Sequence, residues 1–225
     1  RARRRNDRAQ HRPRAATMIW SLIKAFLLAI VGLPVTLIGG PLVAIGLPFR
    51  RSYPETMRPF SQYPEHGQWM LVDLPPWLKP WSNPFDGALG DKRGWWANER
   101  DGKHTSFWSM WLWMAVRNPA NYYSRVMTGV DVSRCKIERV KGNADVIIEE
   151  PGVSNWHVLK ATRDDGKTFY RLWIVWAYPF RPDKSLNIDL GWKLKLEDNG
   201  MAKDAPIKDR IVGSVFNPGP WKTLA

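Results

Sequence analysis

From Ala25 to Phe49 the chain runs for 25 positions without a charged residue. A helix needs about 20 apolar residues to cross the hydrocarbon core of a bilayer. This one segment therefore limits what the rest of the chain can be. Trp20 and Lys24 mark its first edge, and Arg50 and Arg51 close the second. Aromatic and basic residues at such edges suit the membrane interface, and these four are the expected interface residues. A signal peptide fits less well, because the stretch is long for an h-region and no small-x-small site follows before Arg50. The competing reading is a buried core hairpin in a soluble protein, although core helices seldom run this long without polar residues.

The interior of the segment is unusual. It holds Gly32, Pro34, Gly39, Gly40, Pro41, Gly46 and Pro48, and each Pro removes a backbone donor. Two shapes satisfy it. One is a kinked single span from about Ile19 to Leu47. The other is a pair of short helices meeting near Gly39-Gly40-Pro41, which needs partner chains or an interfacial depth to cover the broken backbone. The Gly/Pro-rich surface also offers close packing for a homo-oligomer.

Charge divides unevenly along the chain. The net +13 comprises +6 in residues 1–17, +3 in residues 18–51 and only +4 in the remaining 174 residues. A near-balanced main domain gives no electrostatic case for nucleic acid, which is not an expected partner. Residues 1–17 hold no large apolar side chain and are expected to be a disordered basic leader. Met18 opens an ordinary-looking reading frame, so residues 1–17 read either as a leader outside the native protein or as a functional arm: a basic arm for phosphate or anionic lipid, or the charged n-region of a signal sequence. A start at Met18 places the C-terminal part in the cytoplasm by the positive-inside rule, whereas a native leader reverses that.

Residues 52–133 form a Pro/Trp-rich region. Pro and Gly recur too often between 52 and 103 for long helices. Ser106–Val116 has helical length and is apolar nearly all round, with Thr105 or Ser106 as N-cap and Asn118-Pro119 as its stop. At about 11 residues it is too short to span. Burial against the following sheet is expected, with insertion at the membrane interface as the alternative.

Residues 134–225 change to strand patterning. Asn155–Arg163 and Lys167–Tyr178 flank Asp164-Asp165-Gly166, a hairpin turn. Leu186–Leu196 alternates, with apolar residues at even positions, as a half-buried antiparallel strand should. Arg134–Lys141, Ala144–Glu150 and Ile207–Phe216 are further expected strands, and Asn199-Gly200 a further turn. The expected fold class is α+β: an N-terminal apolar helix or helical hairpin, a Trp-rich irregular region, one short helix at 106–117, and an antiparallel sheet of five or six strands.

Chemistry-bearing motifs are weak. The sequence holds no G-x-S-x-G, P-loop, G-x-G-x-x-G or H-E-x-x-H pattern, and neither a cofactor nor a metal is expected. The single cysteine, Cys135, sits between Arg134 and Lys136, which could lower its pKa, but no Cys/His/Asn set accompanies it. His157 beside Trp156 suits a structural role. Asp73, Asp86, Asp91 and Glu99 fall in the Trp-rich region; a carboxylate site there is the enzymatic alternative, and balanced loop charge the simpler account.

Four phrases and the pair Trp95-Trp96 carry a resemblance: Met18–Gly39, Leu74–Gly87 (L-P-P-W-L-K-P-W-S-N-P-F-D-G), Ala115–Asn121 with its R-N-P-A-N, and Gly191-Trp-Lys193. Together they resemble an uncharacterised family of small proteins encoded by tailed bacteriophages and prophages. The resemblance covers most of the chain from Met18 onward and carries over no activity or catalytic residue. The resulting expectation is a phage-encoded, non-enzymatic protein anchored in the host bacterial inner membrane. Its expected partners are the lipid bilayer and an unknown host or phage protein. Trp77, Trp81, Asn83, Asp86, Arg117 and Asn118 are the partner-binding candidates, since Trp and Arg make good interface anchors. A structural component of the virion is the alternative.

Overall fold

The computed structural model describes residues 15–54, 70–83, 107–205 and 207–224. The fold is α+β, as expected. The described residues divide into two compact units: 15–29, 131–201 and 214–224 in one, and the described parts of 30–130 and 202–213 in the other.

The apolar segment forms one uninterrupted helix, α1 (Ala15–Gly46), with Pro34 and Pro41 inside it. A 3-10 turn, Leu47–Phe49, continues it. Of the two expected shapes, the single helix is therefore the one formed, and Gly39-Gly40-Pro41 does not break it. The reason is local. Both prolines lie on the exposed side of α1, while Gly39 is buried on the other side. The glycines make shallow notches in which aromatic rings seat. A Cβ on Gly39 would lie 2.9 Å from Trp81 Cδ1, and one on Gly32 would lie 3.1 Å from Tyr123 Cε1.

The unit containing the C-terminal half of α1 has an apolar core. Val43, Leu47, Leu74, Leu78, Trp81, Met110, Trp113, Met114 and Ala120 form one buried cluster. A 3-10 helix, Pro76–Trp81, supplies Leu78 and Trp81. Helix α2 (Phe107–Leu112) runs into a π-helical turn, Trp113–Arg117, and a second π turn spans Tyr123–Met127. Sequence reasoning found the first helix without its π character and missed the second. Asn118 ends the first turn, its N–H donating to Trp113 O at 2.8 Å, where a helix stop was expected. The side chains that this helix buries pack in the α1 cluster; burial against the sheet was the expectation. Strands β1 (Arg51–Pro54) and β2 (Met70–Asp73) pair antiparallel in the same unit.

The other unit is built on a five-stranded antiparallel sheet. Its strands are β3 (Cys135–Gly142), β4 (Asn155–Arg163), β5 (Thr168–Tyr178), β6 (Arg181–Trp192) and β7 (Ser214–Thr223). They lie side by side in chain order. The Asp164-Asp165-Gly166 turn forms as read, with Gly166 at φ 81°, a conformation that favours glycine. Asn199-Gly200 also turns. Two expected strands are corrected. Residues 207–216 contain a helical turn (Ile207–Arg210) and a two-residue strand (Ile211–Val212) before β7 begins at Ser214. Residues 144–150 form no strand; they cross the sheet as an irregular strap.

That strap decides which face of the sheet is covered. The register aligns His157, Trp173, Asp189 and Asn217 in one cross-strand row. On this face Asn155, His157, Arg171, Ser185, Asn187 and Asp189 are all buried. Asn155 gives its amide to both backbone groups of Ile148, at 2.7 and 3.0 Å, and so does the work of a neighbouring strand. Glu149 accepts from Asn187 and from Lys222. The apolar even positions of β6, Leu186, Ile188 and Leu190, are only half-buried. The alternation was legible, but the face it covers most fully is the polar one.

Candidate functional site

Two exposed apolar surfaces and one buried polar network emerge from this fold. The first surface is the outer side of α1. Ile23, Leu27, Ile30, Leu37, Ile38 and Ile45 follow one another in steps of three and four, apart from the adjacent Leu37 and Ile38, with Pro34 and Pro41 between them, and all are exposed. Steps of that size stay on one face of an α-helix. Only 11% of the most apolar 18-residue window is buried, and the helix is long and apolar enough to cross a membrane.

The inner side of α1 is held to protein. Trp81 Nε1 donates to Val35 O at 2.6 Å, and Trp111 Nε1 donates to Gly40 O at 2.7 Å. A helical carbonyl has a second lone pair to offer, so both indoles bury their polar edge without an unmet donor. In the other unit Phe26, half-buried beside the exposed row, meets Phe216 edge-to-face, with ring centroids 5.0 Å apart.

The expected interface residues sit at the ends of α1. Trp20 and Lys24 are exposed. Arg50 turns back, its Nη1 donating to Leu47 O at 2.8 Å, and so satisfies a terminal carbonyl of the 3-10 turn. The Arg51 side chain lies outside the described residues.

The six partner-binding candidates do not share one surface. Trp77 is 62% exposed. Trp81 is buried against α1, because its ring fills the Gly39 notch, and it cannot serve as a surface anchor. Asn83 is also buried, and neither of its amide atoms has a partner among the described residues. Asn118 is half-buried at the π-turn end. Arg117 is described only as backbone, and Asp86 lies outside the described residues. The phrases that grouped these residues are partly packing instructions: Ser82 Oγ accepts from Leu74 N–H at 3.0 Å, and Ser82 O accepts from Tyr122 N–H at 3.1 Å.

The second surface was missed from the sequence. On the less covered face of the sheet Trp156, Trp176 and Phe216 are exposed, as are Phe180 and Trp221 near the β5–β6 turn. Tyr178 stacks on Phe180 and packs on Trp221, both with centroids 5.3 Å apart. Trp176 and Tyr178 share the even parity of the strand, and that was the available signal. Alternation alone does not say which face is open.

The buried network lies on the opposite face. Arg171 Nε and Nη2 each donate to Asp189 at 2.8 Å, and Nη1 donates to Leu194 O at 2.8 Å. The guanidinium also lies 4.0 Å from the Trp173 ring centroid. A buried bidentate pair neutralises its own charge and leaves little for a substrate. His157 places Nδ1 3.3 Å from Ala144 O, and burial pushes its pKa below the ordinary value. It is a neutral packing residue, in line with the structural role expected.

Cys135 reads from the sequence as an improbable nucleophile despite its basic neighbours. Its basic neighbours do not activate it, because burial pushes the thiol up to about 11, and Sγ lies 3.3 Å from Asp131 O. Of the four carboxylates read as a possible site, Asp73 pairs with Lys79 at 3.0 Å; Asp86, Asp91 and Glu99 lie outside the described residues. Among the described residues no His/Cys/Asp/Glu group could hold a metal ion.

No curated protein and no solved structure matches the chain. A family model described as a family of unknown function matches residues 17–218. Since that match spans most of the chain, the protein belongs to this family, DUF7338.

Proposed function

We propose that this protein is a membrane-bound, non-catalytic binding protein of a tailed phage or prophage, held at the host inner membrane by α1. One observation carries the reading. The most apolar segment of the chain turns a continuous row of large side chains outward and buries little of itself. Exposing such a row to water is costly, at about 25 cal/mol per Å² of apolar area, so a lipid phase is its natural surrounding. The phage origin rests on the four sequence phrases. The absence of a catalytic role is supported by the saturated Arg171–Asp189 pair and the suppressed Cys135 thiol. Exposed aromatic side chains on the sheet, Trp176, Phe180 and Trp221, supply a surface for a protein partner.

Flotation tests the anchor. The full chain is expressed in a bacterial host, and its lysate is layered beneath a sucrose gradient. The protein should rise with the inner-membrane fraction and stay with it after a high-salt wash. A monodisperse species left at the bottom of the gradient would overturn this reading and bring the virion component forward.

A further inference from the structure

We propose that helix α2 is a second membrane-contacting element, which sets Phe107 and Trp108 into the headgroup boundary of the bilayer beside the C-terminal part of α1. This rests on the membrane reading above and adds a lipid contact outside α1. Every residue used in the argument belongs to the same unit.

Between Lys103 and Arg117 the sequence carries no Asp, Glu, Lys or Arg. A helix without a polar face needs an apolar surrounding on every side. The protein supplies it on two sides of α2 and its π turn. Met110, Trp113 and Met114 are buried in the cluster that holds Val43, Leu47 and Leu78. Trp111 is seated on α1: its Nε1 donates to Gly40 O at 2.7 Å, and a Cβ on Gly40 would lie 3.9 Å from Cζ2. The remaining side is open, with Trp108 67% and Phe107 36% exposed. These rings form one aromatic patch. Trp108 meets Phe107 and Trp111 edge-to-face, with centroids 5.5 and 6.0 Å apart.

The patch continues the outer surface of α1. Leu33, Leu37 and Gly40 follow in steps of four and three, and so fall on one line of that helix. Leu33 and Leu37 are exposed, and Trp111 covers the line at Gly40. Trp108, three residues before Trp111 and in contact with it, extends the apolar surface beyond α1. Lipid that covers Leu37 therefore has Trp108 as its next apolar neighbour, which favours lipid over a separate protein partner as the cover.

The depth follows from chemistry. Gly40 lies near the C-terminal end of α1, the end that Arg50 and Arg51 close. The π turn stops at Asn118-Pro119, and backbone groups freed at a helix end are not left open to hydrocarbon. Trp joins an apolar ring to an N–H donor, and such side chains settle at headgroup level.

Lipid quenching tests the inference on the full chain. In a Cys135→Ser background, Trp108→Cys carries an environment-sensitive fluorophore. The protein is reconstituted in phosphatidylethanolamine–phosphatidylglycerol vesicles that contain lipids with a nitroxide on the acyl chain. Leu37→Cys on the outer row of α1 and Lys203→Cys in an exposed loop are labelled in the same way. The Trp108 probe should lose emission to the same extent as the Leu37 probe, and the Lys203 probe should keep its emission. Phe107→Cys gives the same readout if circular dichroism shows that Trp108→Cys unfolds. Quenching at Leu37 without quenching at Trp108 and Phe107 would overturn the inference and leave the α1 anchor standing. Aqueous iodide would then separate a water-exposed patch, which it quenches, from one covered by protein, which it does not. Quenching at none of the sites, with the protein recovered off the vesicles, would remove the anchor as well.

Discussion

The two units differ in what accompanies their apolar clusters. Around the C-terminal half of α1, apolar side chains meet apolar side chains, and the indole N–H groups of Trp81 and Trp111 find helical carbonyls. In the sheet, the face buried under the 144–150 strap carries Asn155, His157, Arg171, Asn187 and Asp189, and large aromatic side chains stand on the more open face. The first arrangement is driven by burial from water. The second adds a hydrogen-bonded polar network, because a buried polar group without a partner costs free energy. Among the described residues, apolar surface stays open on the outer row of α1 and on the aromatic side of the sheet.

The largest expected effect separates these two kinds of core. Asp189→Ala leaves the Arg171 guanidinium buried without its counter-charge and should cost about 3–5 kcal/mol in chemical denaturation. Replacing both partners, Arg171→Met with Asp189→Leu, should recover most of that loss, since buried ion pairs are often matched by apolar residues of similar size. If the double variant is no more stable than the single one, the network contributes more than mutual neutralisation. In the α1 unit, Gly39→Ala forces a Cβ to within 2.9 Å of Trp81 Cδ1 and should cost about 1–3 kcal/mol by overpacking. Thermal denaturation would read it, and Trp81→Phe in the same chain should relieve part of the loss.

Acid should act on the sheet through His157. Its folded pKa is depressed by burial, so the unfolded chain takes up the proton first. The stability it contributes is present above its unfolded value of about 6.5 and is lost as pH falls through the lower folded value. Denaturation midpoints should therefore drop below pH 6.5, and His157→Gln should flatten that drop. The smallest effect belongs to the open face. Trp176→Ser or Trp221→Ser should change stability by about 0.5 kcal/mol or less, as exposed positions do. A larger loss would mean that the aromatic side is packed in solution.

Much of this architecture is legible in the sequence. The charge-free run marks α1, and the Asp164-Asp165-Gly166 turn with its flanking alternation marks β4 and β5. Three features are not. Gly39-Gly40-Pro41 looks like a break, yet the helix runs through it, with the rings of Trp81 and Trp111, distant in the chain, seated on Gly39 and Gly40. The 144–150 segment has the β-branched residues Val146, Ile147 and Ile148, but the backbone of Ile148 is satisfied by the Asn155 side chain, so it needs no strand partner. The alternation in β6 names two faces without naming the covered one, because the cover is this distant strap. The candidate site was legible only at Trp20, Lys24 and Trp77. The aromatic group at Trp176, Phe180 and Trp221 required the register.

One measurement tests the claim that the outer row of α1 faces lipid. Ile30→Asp with Leu37→Asp places two charges on the exposed side, and Val43→Asp places one on the packed side. Membrane flotation and circular dichroism are recorded for each full-length variant. The outer-face pair should fail to float and keep its fold, whereas Val43→Asp should lose the fold itself. An outer-face pair that floats like the parent protein would contradict the account.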